Sequence, residues 1–402
     1  MATRNYGLSN LTAGYLFPEI ARRRREFSAA HPDAKIISLG IGNTTEPLTA
    51  HIDSGLTEGA RRLGTASGYS GYGDEQGLTA LRERIAAAFY GGKIASDEVF
   101  ISDGAKCDIG RLQLLFGPEV EVAVQDPSYP VYVDGSVLIG AAGEWTGSGY
   151  EGITYLPCVA ANGYFPDLSA LPEDGIVYFC SPNNPTGAVA TRSQLSSLVK
   201  AATEKGAIII YDAAYAEYIR DPALPKSIYE IEGARSCAIE VNSFSKPIGF
   251  TGVRLGWTVV PKDLKYSGGE SVIEDWNRIC TTVFNGASNI AQYGGLAALE
   301  SAGLKEMREL TDFYLGNAAI IRAALEGLGI ACVGGDNAPY IWARFPGRKS
   351  WDVFAEILEK CHVVTTPGSG FGPAGESFIR FSAFGHRADV EEACRRLPAL
   401  RP

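Results

Sequence analysis

The run Val241-Asn242-Ser243-Phe244-Ser245-Lys246-Pro247-Ile248-Gly249-Phe250-Thr251-Gly252-Val253-Arg254-Leu255-Gly256-Trp257 decides how the chain is read. A strand-like segment, Cys237 to Val241, empties into a small polar loop that carries a single lysine. Ser243 and Ser245 place hydroxyls close to Lys246, and Arg254 follows further along the loop. Gly249 and Gly252 let the backbone approach a ligand closely. An amine of this kind condenses with a carbonyl, while hydroxyls beside a guanidinium suit a phosphate. The plainer reading is a polar turn with a solvated lysine.

Two upstream segments carry the same argument. Ala207 to Tyr211 is a short, isoleucine-rich run that predicts a buried parallel strand, ending in Asp212-Ala213-Ala214-Tyr215. Ligands of open α/β sheets bind at the C-terminal ends of such strands, and a carboxylate there is costly unless it meets a cation. A pyridinium nitrogen is such a cation; an N-cap for the next helix is the plainer use of Asp212. Ile176 to Cys180 predicts another buried strand, followed by Ser181-Pro182-Asn183-Asn184-Pro185-Thr186-Gly187. Asn184 offers an amide at that strand's end, or belongs simply to an Asn-Pro turn. Pyridoxal 5'-phosphate brings carbonyl, phosphate and pyridine together and answers to all these groups.

Asn184-Pro185-Thr186-Gly187, then Tyr211-Asp212-Ala213-Ala214-Tyr215, then Ser243-Phe244-Ser245-Lys246 with Gly249-Phe250-Thr251-Gly252-Val253-Arg254-Leu255-Gly256-Trp257, resemble in order and spacing the signature series of the fold-type I, pyridoxal-phosphate-dependent aminotransferases of classes I and II. The resemblance covers nearly the whole chain. It implies an α/β fold: a large domain, residues 46–288, built on a mostly parallel seven-stranded sheet, and a small α+β domain formed by 1–45, with an N-terminal arm, and 289–402. It implies that Lys246 joins the cofactor and shuttles a proton, that Asp212 pairs with the ring nitrogen, and that Tyr129 stacks on the ring, with Tyr132 as the alternative or as a core residue. Asn184 and Tyr215 then hold the ring oxygen. Ser243, Ser245, Arg254, Tyr72 and the N–H groups near Ala105 and Lys106 hold the phosphate, with Asn285 also beside the cofactor.

Longer segments resemble the LL-diaminopimelate aminotransferase family: Asp103-Gly104-Ala105-Lys106-Cys107-Asp108-Ile109-Gly110-Arg111-Leu112-Gln113, Gln125-Asp126-Pro127-Ser128-Tyr129-Pro130-Val131-Tyr132-Val133-Asp134, the Gly14-Tyr15-Leu16-Phe17-Pro18 start and the Phe284-Asn285-Gly286-Ala287-Ser288 turn. That family moves an amino group from glutamate to tetrahydrodipicolinate, giving LL-2,6-diaminopimelate and 2-oxoglutarate for lysine and peptidoglycan precursors. The implied substrate contacts are Arg380 for the α-carboxylate, Lys106, Asn285 and Tyr15 for the far carboxylate, and Glu75 for the far ammonium, with Gly42, Tyr129 and Asn184 alongside. Arg380 lies inside the apolar Phe378-Ile379-Arg380-Phe381-Ser382, where a structural ion pair is the other use. Gly42 also suits a simple turn, and Glu75 a helix cap. The family further implies a homodimer with shared active sites, Tyr72 reaching the neighbouring subunit. At Asn43 the chain departs from the family, which has aspartate there. An aspartate, aromatic or broad-range transaminase, or a lyase, on the same fold is the second reading. A cofactor-sensing transcription regulator would need a DNA-binding domain ahead of residue 14.

Composition narrows the remainder. In 402 residues, 46% are hydrophobic and the formal net charge is -10, which argues against nucleic acid as a partner and requires a local basic site for any anionic substrate. None of the eight cysteines forms a C-x-x-C pair, and the four histidines lack metal-ligand spacing. This predicts reduced thiols and no metal. No apolar run spans a bilayer and no signal-peptide pattern opens the chain, so the expected setting is the cytoplasm, or a plastid stroma after removal of a presequence. The spacing also predicts an extended arm over 1–16, a helix from about Leu78, a strand over Val120–Val124, helices over Asn289–Glu300 and Leu304–Glu326, and strands over Pro339–Phe345 and Phe378–Ser382.

Overall fold

The computed structural model describes residues 2–11 and 16–400. In chain order its strands are β1 (Ile37–Ser38), β2 (Val99–Ser102), β3 (Val122–Asp126), β4 (Ile153–Pro157), β5 (Ile176–Cys180), β6 (Ile208–Asp212), β7 (Ala238–Ser243), β8 (Gly256–Val259), β9 (Cys332–Gly334), β10 (Tyr340–Arg344), β11 (Val363–Val364), β12 (Thr366–Pro367) and β13 (Phe378–Ser382).

Strands β5, β6 and β7 are buried at every position, as parallel strands covered on both faces must be. They lie at the centre of a seven-stranded sheet ordered β2-β8-β7-β6-β5-β3-β4. Only the pairings of β8 with β2 and β7 are antiparallel; those among β7, β6, β5, β3 and β4 are parallel. Alternate side chains feed two cores. Val177, Phe179, Ile209 and Tyr211 enter one; Ile176, Tyr178, Cys180, Ile208 and Ile210 enter the other, with Tyr132. Each fully buried isoleucine contributes roughly 2–3 kcal/mol. Register then sets Cys180, Asp212 and Val241 level at the C-terminal edge.

A second, antiparallel sheet runs β12-β13-β10-β9, and β1 pairs with β11. Its core takes Leu16, Ile20, Ile37 and Leu39 from the N-terminal part, together with Ile321, Ile341, Phe354, Phe381 and Val390. The seam between the sheets is polar. Asp126, ending β3, accepts from Ala374 N at 3.1 and 3.0 Å, Ser128 N donates to Phe371 O at 2.8 Å, and the Tyr314 hydroxyl accepts from Thr45 N and Glu46 N, both at 2.9 Å.

Local chemistry explains most boundaries. Thr191 and Gln194 form a capping box (Thr191 N to Gln194 Oε1, 2.8 Å) and Gly206 closes the same helix, Arg192–Lys205, in the left-handed region. Three expectations differ from the structure. Within the arm expected to be extended, Tyr6–Asn10 is a short helix, because Asn5 Oδ1 accepts from Gly7 N at 2.8 Å. Strand β8 occupies part of the run read only as a ligand loop. Helix Asn289–Ala298, grouped with the small domain in the sequence, packs Ala291 and Ala298 into a core of the large sheet.

Candidate active site

A cavity of about 630 Å³ opens at the C-terminal edge of the large sheet, facing β13. Its wall includes Gly42, Ala105, Lys106, Tyr129, Asn184, Asp212, Tyr215, Ser243, Ser245, Lys246, Arg254 and Arg380. Three further residues singled out in the sequence lie elsewhere: Tyr72 (85% exposed), Glu75 and Asn285 are on the surface. Glu75 does not cap the helix Thr79–Tyr90, since Gln292 Oε1 accepts from Leu78 N there. Tyr15 lies outside the described residues.

Lys246 sits just beyond β7, whose strand hydrogen bonds carry the chain into the cavity. Its amine donates to the carbonyl of Gly42, a position where a Cβ would come within 2.4 Å of the Tyr340 hydroxyl. Burial, then the nearby Arg380 and Arg254 charges, push the amine down to about 7. A lysine so placed is a neutral nucleophile close to neutral pH.

Asp212 ends β6 and is buried. Its Oδ2 accepts from the Tyr132 hydroxyl at 2.7 Å and its Oδ1 from Ala214 N at 3.0 Å. Burial raises its pKa, opposed by those two donors. No lysine, arginine or histidine forms an ion pair with it among the described residues. A buried carboxylate served only by neutral donors has room for one cation.

The anion site is assembled by backbone geometry. Helix Ala105–Phe116 starts directly after Gly104, whose φ is 118°; a Cβ at Gly104 would lie 2.4 Å from Arg254 Nη2. Arg254 itself has a left-handed φ of 69°. Its Nη1 donates to Ser245 Oγ at 3.1 Å, and Ser245 N donates to Ser243 Oγ at 3.0 Å. Guanidinium, hydroxyls and the first N–H groups of the helix thus surround one point, the arrangement that holds a phosphate.

Arg380 crosses from β13 into the same cavity. Its Nη1 donates to Asn184 Oδ1 at 2.6 Å and its Nη2 to Gly40 O. The guanidinium lies 4.5 Å from the Tyr340 ring centre and 4.8 Å from that of Phe371. Arg380 Nε is buried without a hydrogen-bond partner, a vacancy in the donor fork that a carboxylate fits. Lys106 stands 5.8 Å from the Tyr129 ring centre, and Tyr129 meets Tyr132 edge to face at 5.9 Å.

Taken together, the uncompensated carboxylate, the phosphate cradle and the depressed lysine fit pyridoxal 5'-phosphate. Sequence reasoning missed Tyr340, which bonds the Tyr215 hydroxyl at 2.8 Å. Its signal was strand parity: Trp342 pairs with Arg380 across β10 and β13, so Tyr340, two residues away, shares the arginine's face. Asn43, the departure from the family pattern, lines the cavity.

Comparison with known proteins agrees with this chemistry. The family described as aminotransferase class I and II matches residues 34–397. A probable chloroplastic LL-diaminopimelate aminotransferase of Oryza sativa subsp. japonica is 58% identical over 99% of the chain and 86% of its own length. The LL-diaminopimelate aminotransferase of Protochlamydia amoebophila is 53% identical over 99% of the chain and 97% of its own length. The solved structure of L,L-diaminopimelate aminotransferase from Chlamydomonas reinhardtii is 60% identical, with a TM-score of 0.96 over 99% of this chain and 98% of that one.

Proposed function

The chain belongs to the class I and II aminotransferases, and on that premise we propose that it is an LL-diaminopimelate aminotransferase, exchanging an amino group between glutamate and tetrahydrodipicolinate. The family works with pyridoxal 5'-phosphate. The observation that carries the reading is one cavity that joins the Lys246 amine, the uncompensated Asp212 and the Arg380 fork. Relatives of 53–60% identity that bear this name support the choice of substrate.

Lys246 would hold the cofactor, with Asp212 at the ring nitrogen, Tyr129 on the ring face, Asn184 and Tyr215 at the ring oxygen, and Ser243, Ser245, Arg254 and the start of helix Ala105–Phe116 at the phosphate. Bound there, the cofactor supplies a carbonyl carbon and an electron-accepting ring. Arg380 grips the substrate α-carboxylate and so fixes the α-carbon relative to Lys246. The Lys246 amine, increasingly neutral above about pH 7, would take the substrate α-proton and deliver it to the cofactor's carbonyl carbon. Asp212, with no competing cation, keeps positive charge on the opposite side of the ring. Lys106 is the donor for the far carboxylate.

A homodimer with shared sites is supported by the surface that carries Tyr72, Glu75 and Asn285. Tyr69 and Val283 are exposed beside them, at 71% and 51%, and Asn289 Nδ2 ties the loop down by donating to Ser70 Oγ at 2.7 Å. Lying outside their own cavity, these residues are available to a neighbour's, which is the role proposed for them. The large lobe is residues 46–288, with 1–45 and 289–402 as the small one, except that helix Asn289–Ala298 packs against the large sheet. All eight cysteines are free, which suits a reducing setting, the cytoplasm or a plastid stroma.

Glutamate formation from 2-oxoglutarate with LL-diaminopimelate, and none with the meso isomer, is the expected result; a donor preference for aspartate or aromatic amino acids would refute the assignment. Glu75→Gln should weaken turnover of diaminopimelate at least tenfold more than the glutamate half-reaction, because only the former carries a distal ammonium (a lost charge-assisted bond, about 1.5–3 kcal/mol). Equal losses would remove Glu75 from the substrate site.

A further inference from the structure

Behind Asp212 stands a tyrosine that no step above uses. Tyr132 lies on helix Val131–Ile139, is 1% exposed, and its ring stacks on Tyr178 at 4.9 Å with 7° between the planes. Tyr178 is on β5, next to the strand that ends in Asp212. The helix is held in turn: Gln113 Nε2 donates to Val131 O and Tyr132 O at 3.2 and 3.3 Å, and Ser136 Oγ to Tyr132 O at 2.8 Å. The Tyr132 hydroxyl therefore has a fixed position, and it ends 2.7 Å from Asp212 Oδ2.

We propose that Tyr132 is a positioning residue for the cofactor: its hydroxyl orients the Asp212 carboxylate and keeps it ionised, so that the ring nitrogen retains its proton. The inference rests on the function proposed above. Asp212 is buried, and of its two donors Ala214 N belongs to the backbone and cannot be tuned. Tyr132 is then the side chain through which the fold sets the acidity of this carboxylate. A donor to the charged form favours that form. Other titratable groups close enough to feel Asp212 are Cys180, Tyr129 and Tyr340. Burial pushes all three up, and Tyr132 with them, so each stays neutral and none replaces the donor.

Without the hydroxyl, Asp212 becomes a weaker acid and the ring nitrogen a weaker cation. A less positive ring raises the pKa of the nitrogen that links Lys246 to it. In the holoenzyme, Tyr132→Phe should move the pH midpoint of the visible absorbance band upward and lower kcat for glutamate by about tenfold, the equivalent of one pKa unit, with KM little changed. Tyr132→3-fluorotyrosine, a stronger donor of nearly the same size, should move the midpoint down, and it serves if the Phe variant fails to fold. Tyr178→Phe keeps the stacked ring and removes only a hydroxyl that does not touch Asp212, so it should move neither reading. An unmoved midpoint in the Tyr132 variants, or an equal shift in Tyr178→Phe, overturns the proposal. A wild-type protein with no cofactor band at all would instead overturn the function on which it rests.

Discussion

Lys246 is held at about 7 by burial and by two arginines, well below the ordinary lysine value near 10.4. The native apoprotein therefore binds fewer protons at this site than the unfolded chain between those two values, and stability contributed here rises with pH across that window. Relative to Lys246→Met, the apoprotein should be least stable below about pH 7, by at most roughly 5 kcal/mol, and should recover as pH climbs toward 10. Thermal melts of both apoproteins across that range check this; a constant difference would show that the amine is not depressed. At this scale the sequence was most legible where charge interrupts an apolar run. Asp212 and Arg380 announced themselves because an ion inside a strand needs a reason. Tyr340 did not, and Tyr132 was read only as an alternative stacking residue or a core residue, because a tyrosine in an apolar segment looks the same whether it packs or orients a neighbour.

Among the elements, β5 and β6 were legible from their unbroken apolar runs, whereas β8 was hidden in a segment whose glycines and arginine read as ligand contacts. Strand pairing decided that case: Ser243 and Ser102 both face Gly256, and no local pattern encodes such a partnership. The seam at Asp126 was equally hidden, since its partner Ala374 is distant in sequence. Burial raises Asp126 to about 6, with the Ala374 N–H pulling the other way. A carboxyl raised above its unfolded value near 3.9 holds extra protons in the native state, so the stability it contributes falls as pH rises from about 4 to 6. Asp126→Asn keeps an acceptor for Ala374 N and removes the titration. The variant should gain on the wild type across that window, by roughly 3 kcal/mol at most. Parallel pH profiles of unfolding midpoint would show that the carboxyl titrates in the folded protein as it does in the unfolded chain.

For the whole molecule, a single chain gathers Lys246, Asp212, Arg254 and Arg380 in one cavity, while Tyr72, Glu75 and Asn285 lie on the surface. Here the family resemblance, not periodicity, carried the sequence reading, because composition does not reveal which loops meet another copy. Mixing inactive Lys246→Ala with impaired Glu75→Gln subunits tests the sharing directly. Hybrid dimers contain one site with both wild-type residues, so diaminopimelate turnover should reappear above either parent alone. Activity no greater than the sum of the parents would mean that each chain completes its own site.

The arginine on β13 also says something about tempo. Asn184 and Gly40 already occupy two of its nitrogens while Nε stands open, so an arriving acid would gain one new bond at Nε and trade neutral acceptors for anionic ones elsewhere. Beyond the bond at Nε, only the difference between the two sets of bonds would favour capture, and departing products would regain the same neutral contacts. On the proposed function, such a grip would suit exchange, as alternating half-reactions at a common seat require.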